Sequence, residues 1–203
     1  MRIIAGRFHG QSLKSPAGEK SRPTLSRIRE ALFNILAPRI AEARFLDLYA
    51  GAGGIGLEAM SRGAAKTVFV EQDRGIGRVL ADNLRKLDPQ GIAGRALAGE
   101  AVAMAESLAK AGEQFDIIFL DPPYRKNIAA DWEGRGALAR LLAPGGIVVF
   151  QHDRRDVLPE SWAGLTQTRQ KKYGETVLSF YQLMTAVNTN QRVHHGDAED
   201  TEV

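Results

Sequence analysis

Four consecutive residues, Asp121-Pro122-Pro123-Tyr124, combine an anion, two rigid ring residues and an aromatic face. They follow Phe115-Asp116-Ile117-Ile118-Phe119-Leu120, an apolar run with polar boundaries that reads as a buried strand. The prolines fix their own φ and remove two backbone donors, while their carbonyls remain as acceptors. Fixed acceptors, a carboxylate and a stacking ring suit a flat group that carries an NH2, such as a nucleobase. The plainer alternative is a stiff turn after a strand, with Asp121 solvated.

Three more acidic positions lie at or near the carboxyl ends of apolar strands. Asp47 precedes Gly51-Ala52-Gly53-Gly54-Ile55-Gly56, which matches G-x-G-x-x-G between a strand and a helix. Glycines there, Gly51 and Gly53 first, allow a ligand close to the backbone and open a helix whose amides face it. Glu71 ends the next strand, about 20 residues past the first glycine, where an acid that binds ribose hydroxyls belongs. Glu100 ends the third strand; it can accept from an adenine amine or cap the following helix. The loop and Glu71 together predict a nucleoside-containing cofactor. The chain has no cysteine, so disulfides and thiolate metal sites are excluded, and no metal is expected.

These positions need a scaffold that brings strand ends together. Strands at 45–49, 67–71, 95–98, 115–120 and 146–150 alternate with helices at 55–62, 76–87, 101–111 and 137–142. Such alternation predicts a mostly parallel sheet covered on both faces, with ligands at the carboxyl ends of the strands. Segments 165–173 and 176–183, joined at Gly174, predict a closing antiparallel hairpin and seven strands in all. Before the first of these strands, Ile28, Ala31, Leu32, Ile35 and Leu36 give a helix one apolar face, and Pro38 is expected to end it. Arg27 and Arg29 fall on its other faces, either solvated or meeting a phosphate or carboxylate. Ahead of it, Arg2–Gly6 and Gln11–Leu13 predict a small hairpin that leans on the rest. The expected division is 1–22 as a basic hairpin and loop extension, 23–184 as the main domain and 185–203 as a disordered acidic tail.

The net charge is only +3, with an uneven distribution. Arg2, Arg7, Lys14, Lys20, Arg22, Arg27, Arg29, Arg39 and Arg44 crowd the front, and Arg169, Lys171 and Lys172 form a second cluster. Asp197, Glu199, Asp200 and Glu202 end the chain. A basic front suggests a polyanionic partner, with a solvated surface as the bland alternative. No apolar run is long enough to span a bilayer and no signal-peptide core is present, so a soluble cytoplasmic protein with no membrane partner is expected.

NAD and S-adenosylmethionine both satisfy the glycine loop and Glu71. Residues 121–124 separate them, because hydride transfer has no use for an acid, two prolines and an aromatic there, whereas amine methylation does. The lone pair of an exocyclic amine is delocalised into its ring. Acceptance of the two N–H bonds by Asp121 and the Pro122 carbonyl orients the nitrogen and stabilises developing positive charge. Stacking on Tyr124 aligns it with the methyl donor. A paired base cannot reach such a pocket, so the base is unpaired or flipped.

Asp121-Pro122-Pro123-Tyr124, with Asp47 through Ala59, resembles class I S-adenosylmethionine-dependent amino-methyltransferases, a Rossmann-like fold. Arg2-Ile3-Ile4-Ala5-Gly6, Arg22-Pro23-Thr24, Arg29-Glu30-Ala31-Leu32-Phe33-Asn34 and Ser61-Arg62-Gly63-Ala64 sharpen this. Together they resemble the bacterial 16S rRNA guanine-N2 methyltransferases over residues 2 to 183. The resemblance implies S-adenosylmethionine as cofactor and N2-methylguanine in the head of the small subunit, near the P site, as product. It implies that Asp47, Gly51, Gly53, Glu71, Glu100 and Thr24 serve the cofactor, and that Asp121, Pro122 and Tyr124 perform catalysis. Arg22, Pro123 and Arg7 are expected to hold substrate, the hairpin helping to hold RNA. The chain departs from the family at Leu25-Ser26-Arg27, where Thr-Asp-Arg is usual, which puts any direct role of that acid in doubt. Three rivals remain: an adenine-N6 methyltransferase acting on DNA or RNA, an NAD-dependent dehydrogenase, and a non-catalytic RNA-binding module. The sparse basic surface favours assembled small subunits over naked rRNA, and a monomer is expected.

Overall fold

The computed structural model describes residues 1–16, 23–123, 132 and 136–184. Among the described residues, eight strands form one sheet in the order β3-β2-β1-β4-β5-β8-β7-β6. The parallel strands are β1 (Arg44–Asp47), β2 (Lys66–Glu71), β3 (Gly94–Ala98), β4 (Phe115–Leu120) and β5 (Leu142–Asp153). β7 (Leu165–Tyr173) and β8 (Thr176–Leu183) form the expected antiparallel hairpin, with β8 paired to β5. The eighth strand is β6 (Ser161–Trp162), which pairs with β7 at the sheet edge. The sequence reading of seven strands misses it because two residues are too few to show a period-2 pattern.

The helices with described bounds are α1 (Pro23–Ile40), α2 (Gly54–Ser61), α3 (Arg74–Leu87), α4 (Ala101–Lys110) and α5 (Ala137–Leu141). Pro38 does not end α1; the helix runs two residues further, to Ile40. In the last turn a proline sacrifices one hydrogen bond, and Ile40 is buried beside Ala43 and Phe45, contacts that offset the loss. On one face of the sheet Leu46, Val68, Ile118, Val148 and Phe150 pack against α4 and α5. On the other, Phe45, Ile117, Phe119, Val149 and Phe180 meet Ile28, Leu32, Phe33 and Leu36 of α1. These strands are buried on both sides, which explains their nearly continuous apolar sequences.

The amino-terminal hairpin shrinks to a single bridge, Arg2 with Ser12. Ile3 and Leu13 donate across it to the Gln11 and Met1 carbonyls at 3.0 and 2.8 Å, but the pairing stops there because the next amides find side-chain partners. Ile4 and Ala5 donate their N–H groups to the Glu58 carboxylate at 2.8 and 3.0 Å, and Lys14 N–H reaches Asn83 Oδ1 at 2.8 Å. Ile3 and Leu13 enter a core with Leu57, Met60 and Leu80, so residues 1–16 rest on α2 and α3. The loop at 17–22 and the acidic tail at 185–203 lie outside the described residues.

Candidate active site

Strand order reverses between β1 and β4, so a crevice opens above their carboxyl ends. A cleft of about 400 Å³ lies there, walled by Arg29, Asp47, Gly51, Gly54, Asp121 and Gln151 among others. A second, of about 260 Å³, continues to Glu71 and Pro123; Tyr49, Gly51, Ile76 and Asp121 line both. The trough thus brings together Asp47, the glycine loop, Glu71, Pro123 and Asp121, as the sequence spacing anticipates.

The loop's geometry rests on glycine where it turns into α2. Gly53 precedes the helix at φ 91°, and a Cβ there would lie 2.6 Å from Leu80 Cδ1. Asp47 ties strand to loop: its Oδ2 accepts the Gly56 N–H at 3.0 Å. Its Oδ1 is buried and makes no hydrogen bond among the described residues. Burial pushes the Asp47 carboxyl up to about 7, against the pull of the Gly56 amide. The charges of Asp121 and Glu71 add to the rise, and the Tyr49 amide opposes it weakly without hydrogen-bond geometry to Oδ1.

Glu71 holds the loop from the next strand. Its Oε2 accepts the Gly51 N–H at 2.9 Å and its Oε1 the Asp73 N–H at 2.7 Å. Each oxygen keeps a second lone pair for a hydroxyl. Glu100 behaves differently. It caps α4, accepting from Val102 and Ala103 N–H at 3.2 and 2.9 Å, and it lines neither part of the trough. Of its two possible sequence roles the structure gives the cap.

Asp121 stands across the trough from the loop. Gln151, the residue after Phe150 on β5, donates from Nε2 to Asp121 Oδ2 at 2.9 Å. Enclosure by the walls of the trough raises the Asp121 carboxyl to about 7, and the Gln151 bond opposes the rise. The residue is nevertheless exposed on its cleft side. Water there screens it in the open trough, so the full rise belongs to a site from which ligand has expelled that water. Pro122 is buried and Pro123 exposed; Tyr124 and Arg22 lie outside the described residues, as does the side chain of Thr24, whose backbone lies in the first turn of α1.

Sequence reasoning misses Gln151, although the rule that finds Asp121, a polar residue directly after a buried strand, applies to it equally. It leaves Arg29 and Arg27 open. Arg27 is exposed, whereas Arg29 is only 6% exposed and lines the cleft. Its Nη2 donates to the Arg2 carbonyl at 2.6 Å, and its Nε, 3.9 Å from Glu58 Oε2, makes no hydrogen bond among the described residues. Glu58 is fully buried and also receives Arg62 Nε at 2.8 Å. Helix α2, α1 and the amino-terminal segment are therefore pinned together through one carboxylate. Arg7 sits away from the trough. Its N–H bonds the Ser61 carbonyl, at the far end of α2, and its guanidinium lies 4.6 Å from the centre of the Phe8 ring. Eight residues of helix put about 12 Å between the two ends of α2.

Residues 1–182 match the family described as conserved hypothetical protein 95. The chain is 36% identical to the Escherichia coli K12 ribosomal RNA small subunit methyltransferase D over 182 residues, which cover 90% of this chain and 89% of that one. The solved structure of a Thermus thermophilus hypothetical protein, TTHA0928, superposes with a TM-score of 0.74 at 35% identity, covering 89% of this chain and 98% of that one. At 24% identity and a TM-score of 0.60, the T. thermophilus 16S rRNA N2 G1207 methyltransferase RsmC, solved with AdoMet and guanosine, shares the fold over 83% of this chain and 45% of its own. The chain belongs to the conserved hypothetical protein 95 family and has the Rossmann-like fold of class I methyltransferases.

Proposed function

We propose that this protein transfers a methyl group from S-adenosylmethionine to the exocyclic N2 of a guanine in 16S rRNA. The observation that carries this reading is the placement of Asp121, locked by Gln151, in the same trough as Asp47 and the glycine loop. The similarity to a small-subunit rRNA methyltransferase over nine-tenths of both chains supports the choice of rRNA.

The residues present fit S-adenosylmethionine. Asp47 Oδ1 is a buried acceptor without a donor, and Arg29 Nε a buried donor without an acceptor, among the described residues; both line one cleft. Unpaired buried groups are costly, and an amino-acid zwitterion offers each its complement, the ammonium to Asp47 and the carboxylate to Arg29. Glu71 suits the ribose hydroxyls. Gly51 and Gly53, with Thr24, complete the expected cofactor side, and Arg22 is assigned to substrate. S-adenosylmethionine supplies an electrophilic methyl group on a sulfonium.

Toward the base, Asp121 accepts one N–H of the amine, and its anion stabilises positive charge as the nitrogen lone pair is committed. Pro122 supplies the second acceptor, and Pro123 and Tyr124 hold the ring. The methylated nitrogen then loses its extra proton to Asp121 or water. We assign the substrate as assembled small subunits, the protein as a cytoplasmic monomer, and residues 1–22 and 185–203 as an extension and a tail around the catalytic domain 23–184. No helix among the described residues is long and apolar enough to cross a membrane.

Calorimetry against S-adenosylhomocysteine and NAD, followed by transfer of a tritiated methyl group to small subunits lacking the modification, tests this. Binding of the former alone and counts in 16S rRNA are expected. NAD binding without methyl transfer would return the protein to the dehydrogenase reading.

A further inference from the structure

Outside the trough lies a groove of about 530 Å³ between α1 and the turn of the β7–β8 hairpin, walled by Arg27, Ile28, Ala31, Asn34, Tyr173 and Gly174. Arg29 lines the trough and Ile28 this groove, so the first turns of α1 separate the two. The pairing registers show what approaches the groove. Arg169 lies opposite Phe180, Lys171 opposite Leu178 and Tyr173 opposite Thr176. Phe180 and Leu178 pack toward α1, and Tyr173 joins the same cluster. Residues two apart on a strand share a face, so Arg169, Lys171 and Tyr173 form one row on the α1 side. The row spans about 13 Å and ends at the groove, which opens beside the catalytic trough.

The two cations in the row are exposed, and neither forms an ion pair among the described residues. Arg169 leans over the Phe180 ring, 6.0 Å from its centre. Arg27 adds a third exposed cation at the groove. The acids nearby are Glu30, in the groove wall, and Glu175, which is bonded to Arg154 at 2.8 Å. A row of cations at roughly phosphate spacing, ending at a half-buried tyrosine, matches a nucleic acid strand with one base stacked.

We infer that this row and groove form the track for the single-stranded RNA that flanks the target guanine. The assignment deepens the rRNA reading and rests on it. Phosphates of the flanking nucleotides meet Arg169, Lys171 and Arg27, and a neighbouring base lies against Tyr173. The groove makes the catalytic trough part of a longer contact, which a lone base pocket cannot provide.

The test compares the Arg169→Glu/Lys171→Glu double variant with a Lys66→Glu/Lys110→Glu control of equal charge change. Lys66 opens β2, on the far side of β1 from the β7–β8 hairpin, and Lys110 ends α4, on the sheet face away from α1. Filter binding of radiolabelled 16S rRNA, both within assembled small subunits and naked, between roughly 50 and 200 mM KCl reads affinity and its salt dependence without requiring methylation. The track variant is expected to bind at least tenfold more weakly than the control. Its log–log salt slope should be shallower by about 1.4, the value for two single-strand phosphate contacts. Binding to S-adenosylhomocysteine and the Tm should match wild type. Equal affinities and slopes in the two variants would overturn the track. Loss of methylation on assembled subunits with unchanged filter binding would give the groove to a ribosomal protein instead and also overturn it. A wild-type enzyme that methylates no guanine fails the rRNA reading separately, since the filter-binding difference is scored on its own.

Discussion

Gln151 Nε2 lies 2.9 Å from Asp121 Oδ2, a hydrogen bond between the carboxyl ends of β5 and β4. It commits one carboxylate oxygen to the protein and leaves Oδ1 to meet an amine. The bond also favours the charged form of Asp121. Gln151→Leu should therefore lower kcat by roughly 10- to 100-fold, comparable to the loss of other preorganising contacts. Affinity for S-adenosylhomocysteine should stay within twofold, and the apparent pKa of the rate profile should rise. A lower or unchanged apparent pKa would show that Gln151 does not hold the carboxylate.

Asp121 and Asp47 interact, so the pH–rate profile reports the pair. Both carboxyls are raised toward about 7, and both must be ionised to hold an amine and an ammonium. Rates should climb with pH across the region near 7 and then level off. Stopped-flow single-turnover measurements between roughly pH 5 and 9 would check this. A profile already flat above pH 5 would contradict the raised carboxyls.

The same burial gives Asp47 a measurable cost in the free protein. Its native pKa of about 7 exceeds the ordinary value of 3.8, so between those values the folded state binds more protons than the unfolded one. Asp47's contribution is fully present below the ordinary value and is lost as pH rises through 7. The loss is on the order of 4 kcal/mol if the whole rise is realised. Asp47→Asn keeps an acceptor for Gly56 but replaces the unpaired oxygen with an N–H donor. Its Tm at pH 8 should exceed wild type by several degrees while cofactor binding falls by at least 100-fold. Thermal scans and calorimetry on one sample resolve both, and a variant that is destabilised at pH 8 would contradict the account.

Glu58 shows in the sequence only as a charge within an apolar helix. Only Arg62, four residues on, is a local partner; the others come from residues 4, 5 and 29, which nothing in the local sequence marks. Asp47, Glu71 and Asp121 are legible for the opposite reason: each ends an apolar strand, and strand ends in this fold converge. Gln151 has the same signal but no charge to draw notice. Arg7 is legible as a basic residue of a small hairpin, but its distance from the trough is not, because that is set by its backbone bond to the Ser61 carbonyl. The hairpin itself is expected from two short extended segments, yet it stays one bridge long because side-chain acceptors take the amides of Ile4, Ala5 and Lys14. Glu58→Ala should thus cost about 3 to 5 kcal/mol by leaving the buried Arg29 and two amides unpaired. Urea unfolding measures this, and a cost under 1 kcal/mol would show that the amino-terminal segment is held otherwise.

Glu100 separates a cap from a ligand contact. Glu100→Ala should cost about 1 kcal/mol and lower Tm by a few degrees, as loss of a helix cap does, with S-adenosylhomocysteine affinity unchanged within twofold. A tenfold weaker complex at unchanged Tm would place its carboxylate on the adenine.

The central claim is guanine N2 methylation in 16S rRNA by a trough whose acid is Asp121. It is tested most directly by digesting the small-subunit rRNA to nucleosides after reaction with S-adenosylmethionine and separating them by mass spectrometry. Wild type should yield N2-methylguanosine, one per subunit, and Asp121→Ala should yield at least 100-fold less per unit time. N6-methyladenosine as the only product, or an Asp121→Ala variant with full turnover, would contradict the account.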